Sequence, residues 1–246
     1  METCHTRIPS TFRWMGKAYP GLCQLLTLIL LLAGMPGCRT AAVKDVDGNR
    51  YRTVQIGTQV WMAENLRTTR FRDGSDIPYV TKYGAWTELS TPAYSWYNND
   101  SANREVYGAL YNWYTVQSNA LCPEGWHLPG DEEWKALRAY LGEDGFAGDA
   151  LKEEGTRLWK SPNEGADNAT GFSALPGGYR SYDGTFNLLH SDGYWWTATE
   201  SVWYRESLDA PLTKAFYRNL RYDGRDLYRY ATEKSNGFSV RCVRDP

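Results

Sequence analysis

The chain has 246 residues, with 27 Lys and Arg against 29 Asp and Glu and a formal charge of -2, so it offers no sequence-independent grip on a polyanion and excludes nucleic acid as an expected partner. Hydrophobic residues make up 42% and aromatic residues 15%, which describes a soluble globular protein of one largish domain or two small ones.

The N-terminus reads as an export signal: Arg7, Arg13 and Lys17 precede a Leu-rich run from Leu22 to Ala33. The apolar core 25–33 is too short to span a bilayer, which takes about 20 apolar residues. Gly37 before Cys38 resembles a bacterial lipoprotein box, in which a peptidase cuts before a Cys that then carries lipid, although Met35 and Pro36 depart from the usual Leu and small residue. Residues 1–37 are therefore expected to be a signal peptide, Cys38 the lipidated residue and 38–44 a spacer. Ordinary secretion and a retained membrane helix are the alternatives. Met15-Gly16-Lys17 would make a tidier start than Met1. Of five cysteines, Cys4 and Cys23 leave with the signal, and a lipidated Cys38 leaves Cys122 and Cys242. In an exported protein two remaining cysteines point to one disulfide, with two buried free thiols as the alternative.

From residue 45 the pattern is structural. Asp47-Gly48 favours a tight turn, and residues 51–62 alternate large apolar and polar side chains around Gly57, which predicts a small antiparallel sheet. Residues 70–100 read as a long loop region pinned by aromatics. Val106, Ala109, Leu110, Trp113 and Val116 fall on one helical face, predicting a first helix. Asp131, Glu132 and Glu133 suit a helix N-terminus, with Trp134, Leu137 and Leu141 as its buried stripe before Gly142, and Gly130 stands where a capping Ser would serve better. A short helical turn follows over 149–154. Strands are then expected at 171–175, around Tyr179 with a turn at Asp183-Gly184, at 194–200, at 215–220 with a turn at Asp223-Gly224, and at 237–243. Helices early and strands late predict an α+β fold.

Six ordered blocks, 54–66, 107–114, 122–129, 171–180, 195–200 and 237–243, resemble the Fibrobacter succinogenes major paralogous domain. The resemblance covers about residues 43–246. It implies exported proteins, a C-type-lectin-like fold related to that of formylglycine-generating enzymes, and a pairing of Cys122 with Cys242. The expected architecture is α+β and C-type-lectin-like, two helices packed on short twisted antiparallel sheets with long loops, over 45–246. No activity is implied.

Formylglycine generation needs a redox-active cysteine pair near the C-terminal part, and only Cys242 stands there. Ser161-Pro162-Asn163-Glu164 and Tyr97-Asn98-Asn99-Asp100 are partial echoes of calcium-lectin triplets, but both are misplaced. No cofactor and no metal are expected, with calcium through Asn163, Glu164, Asp167 and Asn168 as the lesser alternative to a polar turn. His127 and His190 have no second ligand at metal spacing. A structural hydrogen bond to backbone is expected for His127 and a surface position for His190. Glu200 reads as a buried carboxylate satisfied by Arg180 or Arg241. The sole catalytic cluster nameable from sequence is His127, Glu200 and Arg241.

Aromatic residues are in surplus, with 11 Trp and 18 Tyr. Trp61, Trp113, Trp126, Trp134, Trp195 and Trp196 fit the core. Trp203, Tyr204, Tyr217, Tyr222, Tyr228 and Tyr230, interleaved with Arg205, Arg218, Arg221, Arg225 and Arg229, form the candidate recognition segment, with Trp203, Tyr204, Tyr222, Arg225 and Tyr228 foremost. A loop packed by its own rings is the alternative. The expected function is a noncatalytic binding or adhesion module of the cell envelope, lipid-anchored to the outer membrane, with a glycan or a surface protein as ligand. A structural envelope component and an enzyme with an unidentified site are the alternatives.

Overall fold

The first strands are set by two glycine turns. Ala42–Lys44 (β1) pairs with the start of Arg50–Ile56 (β2) across Asp47-Gly48, where Gly48 adopts φ +86° and donates its amide to the Asp45 carbonyl. The Asp45 carboxylate locks the turn by accepting from the Asn49 amide at 2.9 Å and the buried Tyr51 hydroxyl at 2.6 Å. A second turn at Gly57 (φ +60°) returns the chain as Gln59–Met62 (β3). The sheet thus begins at Ala42, inside the stretch expected to be spacer. The computed structural model describes residues 42–142, 144–202 and 212–246. The expected signal peptide, Cys38, Trp203, Tyr204 and Arg205 lie outside the described residues.

The expected loop over 70–100 carries a helical turn, Tyr83–Thr87 (α1), and a short strand, Tyr94–Ser95 (β4), with Trp86 and Trp96 buried beneath it. The expected helix over 106–116 does not form. It is replaced by a turn of helix, Arg104–Tyr107 (α2), a strand, Leu110–Asn112 (β5), and another turn, Trp113–Gln117 (α3). Gly108 makes the break at φ +75°, pressed so closely on the chain that a Cβ there would lie 2.7 Å from the Leu66 carbonyl oxygen. The apolar residues spaced for one helical face are shared among these pieces, and Val106 is left exposed.

Next come Trp126–His127 (β6) and Asp131–Leu141 (α4), the helix the sequence predicts, ending at Gly142. Its poor N-cap residue is compensated from elsewhere: the Glu133 carboxylate accepts the Gly130 amide at 2.7 Å, and the hydroxyl of distant Thr199 accepts the Asp131 amide at 2.9 Å. The short helix Ala147–Leu151 (α5) starts two residues before the expected turn. Residues 171–175 form no strand beyond one bridge, Lys152 to Ala174. The remaining strands are Gly177–Arg180 (β7), Phe186–Leu189 (β8), Asp192–Ser201 (β9), Lys214–Arg221 (β10), Tyr228–Glu233 (β11), Gly237–Phe238 (β12) and Val243–Arg244 (β13). The strand expected at 237–243 is split, since β12 and β13 belong to different sheets.

One sheet has the order β1-β2-β3-β13-β6; the other runs β11-β10-β9-β7-β12-β5-β4, with β8 on β7. All pairs are antiparallel except β7 with β9. The α+β architecture of two helices on small sheets is therefore overturned: the described residues hold thirteen strands in two sheets, and every α-helix but α4 has only four or five residues. The reason is that β5 takes from the expected first helix the residues that bridge β4 and β12.

Adjacent residues of a strand point to opposite sides, and the fold uses this to build two cores. Met62 and Trp196 enter one core with Trp113, Phe238 and Cys242, while Trp61 and Trp195 enter the other with Trp134, Trp159 and Phe172. Buried Asn65 ties the two together. Its oxygen accepts from Trp195 Nε1 and Arg241 Nε, both at 2.9 Å, and its amide donates to the Tyr107 carbonyl and the Ser239 hydroxyl, so all four bonds are made. Cys122 and Cys242 are joined, with Cα atoms 6.0 Å apart and 120 positions apart in sequence, which fastens the segment before β6 to the approach to β13.

Candidate functional site

Four strands of the larger sheet place tyrosines side by side. Tyr179 on β7, Tyr194 on β9, Tyr217 on β10 and Tyr230 on β11 form a ladder with ring centroids 4.8, 5.8 and 5.8 Å apart. Register makes it: Tyr217 is directly opposite Tyr230, and Tyr194 stands two residues from Trp196, opposite which Tyr217 also lies. Phe238 of β12 closes the floor, 5.2 Å from Tyr194 and 4.9 Å from Tyr217. Above the floor lies a pocket of about 170 Å³, completed by Ser181, Tyr182, Thr232 and Asn236.

The polar side of the pocket is held from two elements. Asn236 accepts the Tyr182 amide at 2.8 Å and donates to the Thr232 hydroxyl at 2.7 Å, so the turn after β7 and the end of β11 are fixed to each other. Gly184, at φ +86° in that turn, sits against the backbone of Tyr83. The Tyr194 hydroxyl donates to buried Asp192 at 2.9 Å, which fixes its ring. Burial holds the Asp192 carboxyl above the usual carboxylate range, against the smaller downward pull of the bonds from Tyr194 and Asn219. By contrast, the Tyr179 and Tyr217 hydroxyls make no hydrogen bond to described residues. Burial pushes the Tyr217 phenol up to about 12, so both remain neutral donors and acceptors at ordinary pH. Tyr182 stands exposed at the rim, and Tyr230, outside the lining, is the exposed end of the ladder.

A scan of the sequence against family models finds the Fibrobacter succinogenes major domain over residues 54–244. The chain belongs to this family. No curated protein and no solved structure matches it. Every pocket-lining residue lies within the family span.

The domain distributes the sequence-predicted candidates unevenly. Tyr217 and Tyr230 join the ladder, and Tyr228 stacks beside Tyr230 at 6.3 Å. Tyr222 packs half-buried against the second core with Lys160 over its ring, and Arg225 is bound to Asp149 at 2.5 Å and stacked on Phe146 at 4.1 Å. The residues missed are Tyr179, Ser181, Tyr182, Tyr194, Thr232, Asn236 and Phe238. The same-face pair Tyr194 and Trp196 was their one local signal.

His127, Glu200 and Arg241 each have separate partners. His127 lies between two carboxylates, 2.6 Å from Glu133 and 2.6 Å from Asp245, in place of the expected backbone bond. Burial disfavours its charged ring, but the bonds to Asp245 and Glu133 outweigh that and raise its pKa. His190 Nδ1 meets the Leu158 carbonyl at 2.8 Å. Glu200 pairs with Lys234, not with Arg180 or Arg241. Those two arginines are caged by carbonyls instead: Arg180 by Val80, Thr81 and Gly184, and Arg241 by Phe172 and Ser173, with its guanidinium 4.1 Å from the Phe172 ring. Burial pulls Arg241 down to about 9.

Of the calcium alternatives, Asn168 bonds Ser173 through both ends of its amide, and Asp167 accepts the Ala169 amide. Asn163 donates to the Glu153 and Gly155 carbonyls, and Glu164 is exposed. Among the described residues no three His, Cys, Asp or Glu side chains are grouped to hold a metal ion.

Proposed function

We propose that this chain is a noncatalytic binding module of the bacterial cell envelope, exported by residues 1–37, held at the outer membrane through lipid on Cys38, and recognising an envelope ligand in its tyrosine pocket. The observation that carries this reading is the pocket's chemistry. Its lining is aromatic and neutral, two phenol hydroxyls are left free, and no carboxylate, histidine, lysine or cysteine lines it to serve as acid, base or nucleophile. Such a surface suits recognition without reaction. The signal anatomy and the Gly37-Cys38 junction support the location.

Two measurements test the proposal. The full chain expressed in a bacterium is expected to take up labelled palmitate and partition with membranes, and Cys38→Ala to lose the label; equal amounts of both in the soluble periplasm would remove the anchor. Immobilised protein is expected to retain solubilised envelope material, with Tyr182→Ala retaining much less. If Tyr182→Ala and the wild type retain the same material equally, the pocket is not the recognition surface and a purely structural role in the envelope gains ground.

A further inference from the structure

Resting on the proposal that the pocket binds, we infer that its ligand is a single neutral pyranose ring, the end of a glycan, bound without calcium. Three features converge. The volume of about 170 Å³ lies below the roughly 300–1,000 Å³ of pockets that enclose drug-sized ligands, so it admits one ring and leaves the rest of a chain outside. The lining carries no charge, and a carboxylate or ammonium brought into it would lose hydration without gaining a counter-ion.

The third feature is the mixture of rings and hydroxyls. Tyr194 and Phe238 stack on each other at 26° and 5.2 Å, too close to admit a ring between them, while the other rings are tilted, 56° for Tyr179 with Tyr194 and 58° for Tyr217 with Phe238, so together they line a cup instead of a slot. A flat heteroaromatic needs a slot with parallel walls. A pyranose is thicker: its axial C–H groups lie on a ring face while its equatorial hydroxyls radiate outward. In this cup the sugar's C–H face lies against the partly exposed rings of Tyr179 and Tyr217, which buried Tyr194 and Phe238 support from below, and its hydroxyls meet the free phenols of that partly exposed pair. The Thr232 hydroxyl, already oriented by Asn236, stands among them. Tyr182 at the rim covers the ring from solvent. Calcium-dependent sugar binding uses carboxylates to hold the ion, and this lining has none.

A ligand of about a dozen heavy atoms at an ordinary ligand efficiency binds with a Kd of roughly millimolar, which sets the method. Saturation-transfer NMR on the full chain, with methyl glucoside, methyl galactoside and N-acetylglucosamine as probes, is expected to show transfer to the ring C–H protons of at least one, unchanged by EDTA. Tyr182→Ala should weaken it about tenfold, the effect of losing one stacked rim aromatic. Tyr217→Phe, which keeps the ring and removes the hydroxyl, should weaken it about two- to tenfold. Tyr140→Ala, an exposed tyrosine of α4 outside the pocket lining, serves as the control and should leave it unchanged. Several outcomes overturn the inference: no transfer to any neutral sugar at tens of millimolar, equal transfer to glucuronate, stronger binding of indole or adenosine, loss on adding EDTA, or indifference to both pocket variants. If the sugars fail while retention of envelope material still depends on Tyr182, the ligand chemistry is wrong and the binding role stands; if both fail, the two fall together.

Discussion

Strands β9 and β10 have two faces, and they are finished in opposite ways. On the face toward α4, Trp195 and Leu220 are fully buried, and the carboxylate of Asp131 holds Arg218 at 2.6 Å and Arg229 at 2.8 Å. On the other face, Trp196 and Ala215 are buried in the first core, and beside them Tyr194 and Tyr217 lead from a buried floor to exposed Tyr230 where that face opens. The contrast teaches where each kind of side chain can be used. Charges are tolerated in the interior where an element covers them and supplies a partner, as α4 does with Asp131. Tyrosine is suited to the part of the other face left open beside the first core because one end packs as a hydrophobe and the other remains wet.

The comparison breaks if the covered face is not the one that holds the fold together. Trp195→Ala is expected to cost about 3–5 kcal/mol, since it empties the space of a large core ring and removes one of the two donors to Asn65. Urea denaturation measures it. A loss under 1 kcal/mol would mean that the second core is loosely packed. Asp131→Asn should come next, at about 3 kcal/mol, because it keeps the size and leaves buried Arg218 without its counter-charge. Arg218→Met combined with Asp131→Asn should recover much of the loss, whereas additivity of the two would show that the ion pair is not the cause.

The covered side was also the more legible of the two in the sequence. Three acidic residues, the Trp134 and Leu137 stripe and Gly142 define α4 within eleven residues, and Gly48 and Gly57 define their hairpins within four. These are local signals. The failures are all long-range. Val106 to Val116 has helical spacing, yet β4 and β12 claim its middle as a strand, and residues 237–243 look like one strand although their two ends pair in different sheets. Glu200 finds Lys234, across the hairpin of β10 and β11, and not an arginine. The tyrosine pocket is built from residues 179 to 238 on five strands, so only the sheet order brings it together.

A third test concerns a buried charge beside the covered face. Lys152 is fully buried, with its ammonium donating to the carbonyls of Glu164, Gly224 and Arg221 at 2.6, 2.8 and 3.2 Å. Burial pulls its pKa down to about 8 from the ordinary 10.5. Between those values the unfolded chain holds the proton and the folded chain has released it, so stability must rise with pH, by up to about 1.4 kcal/mol per pH unit. Above pH 10 the sign reverses as exposed phenols ionise in the unfolded state while Tyr217 does not ionise until about 12. The wild type minus Lys152→Met difference in unfolding free energy, followed from pH 7 to 10, should therefore climb above pH 8. A flat difference would place the folded pKa of Lys152 near its unfolded one.

The smallest expected effect sharpens the contrast most. Tyr182 is 58% exposed and Tyr230 44%, and neither belongs to a core cluster. Surface substitutions away from caps, cavities and buried polar groups change stability by about 0.5 kcal/mol or less, so Tyr182→Ala and Tyr230→Ala should both stay within that range by urea denaturation. Tyr182 donates only its backbone amide to Asn236, and alanine keeps that bond. Tyr230 stacks on Tyr228 and Tyr217 from outside, and exposed stacking alone leaves little to lose. Should either variant cost more than about 2 kcal/mol, its ring belongs to the core in the sense that Trp195 does. The rim would then be packing that happens to touch water, and the open face of the sheet would be closed in all but appearance.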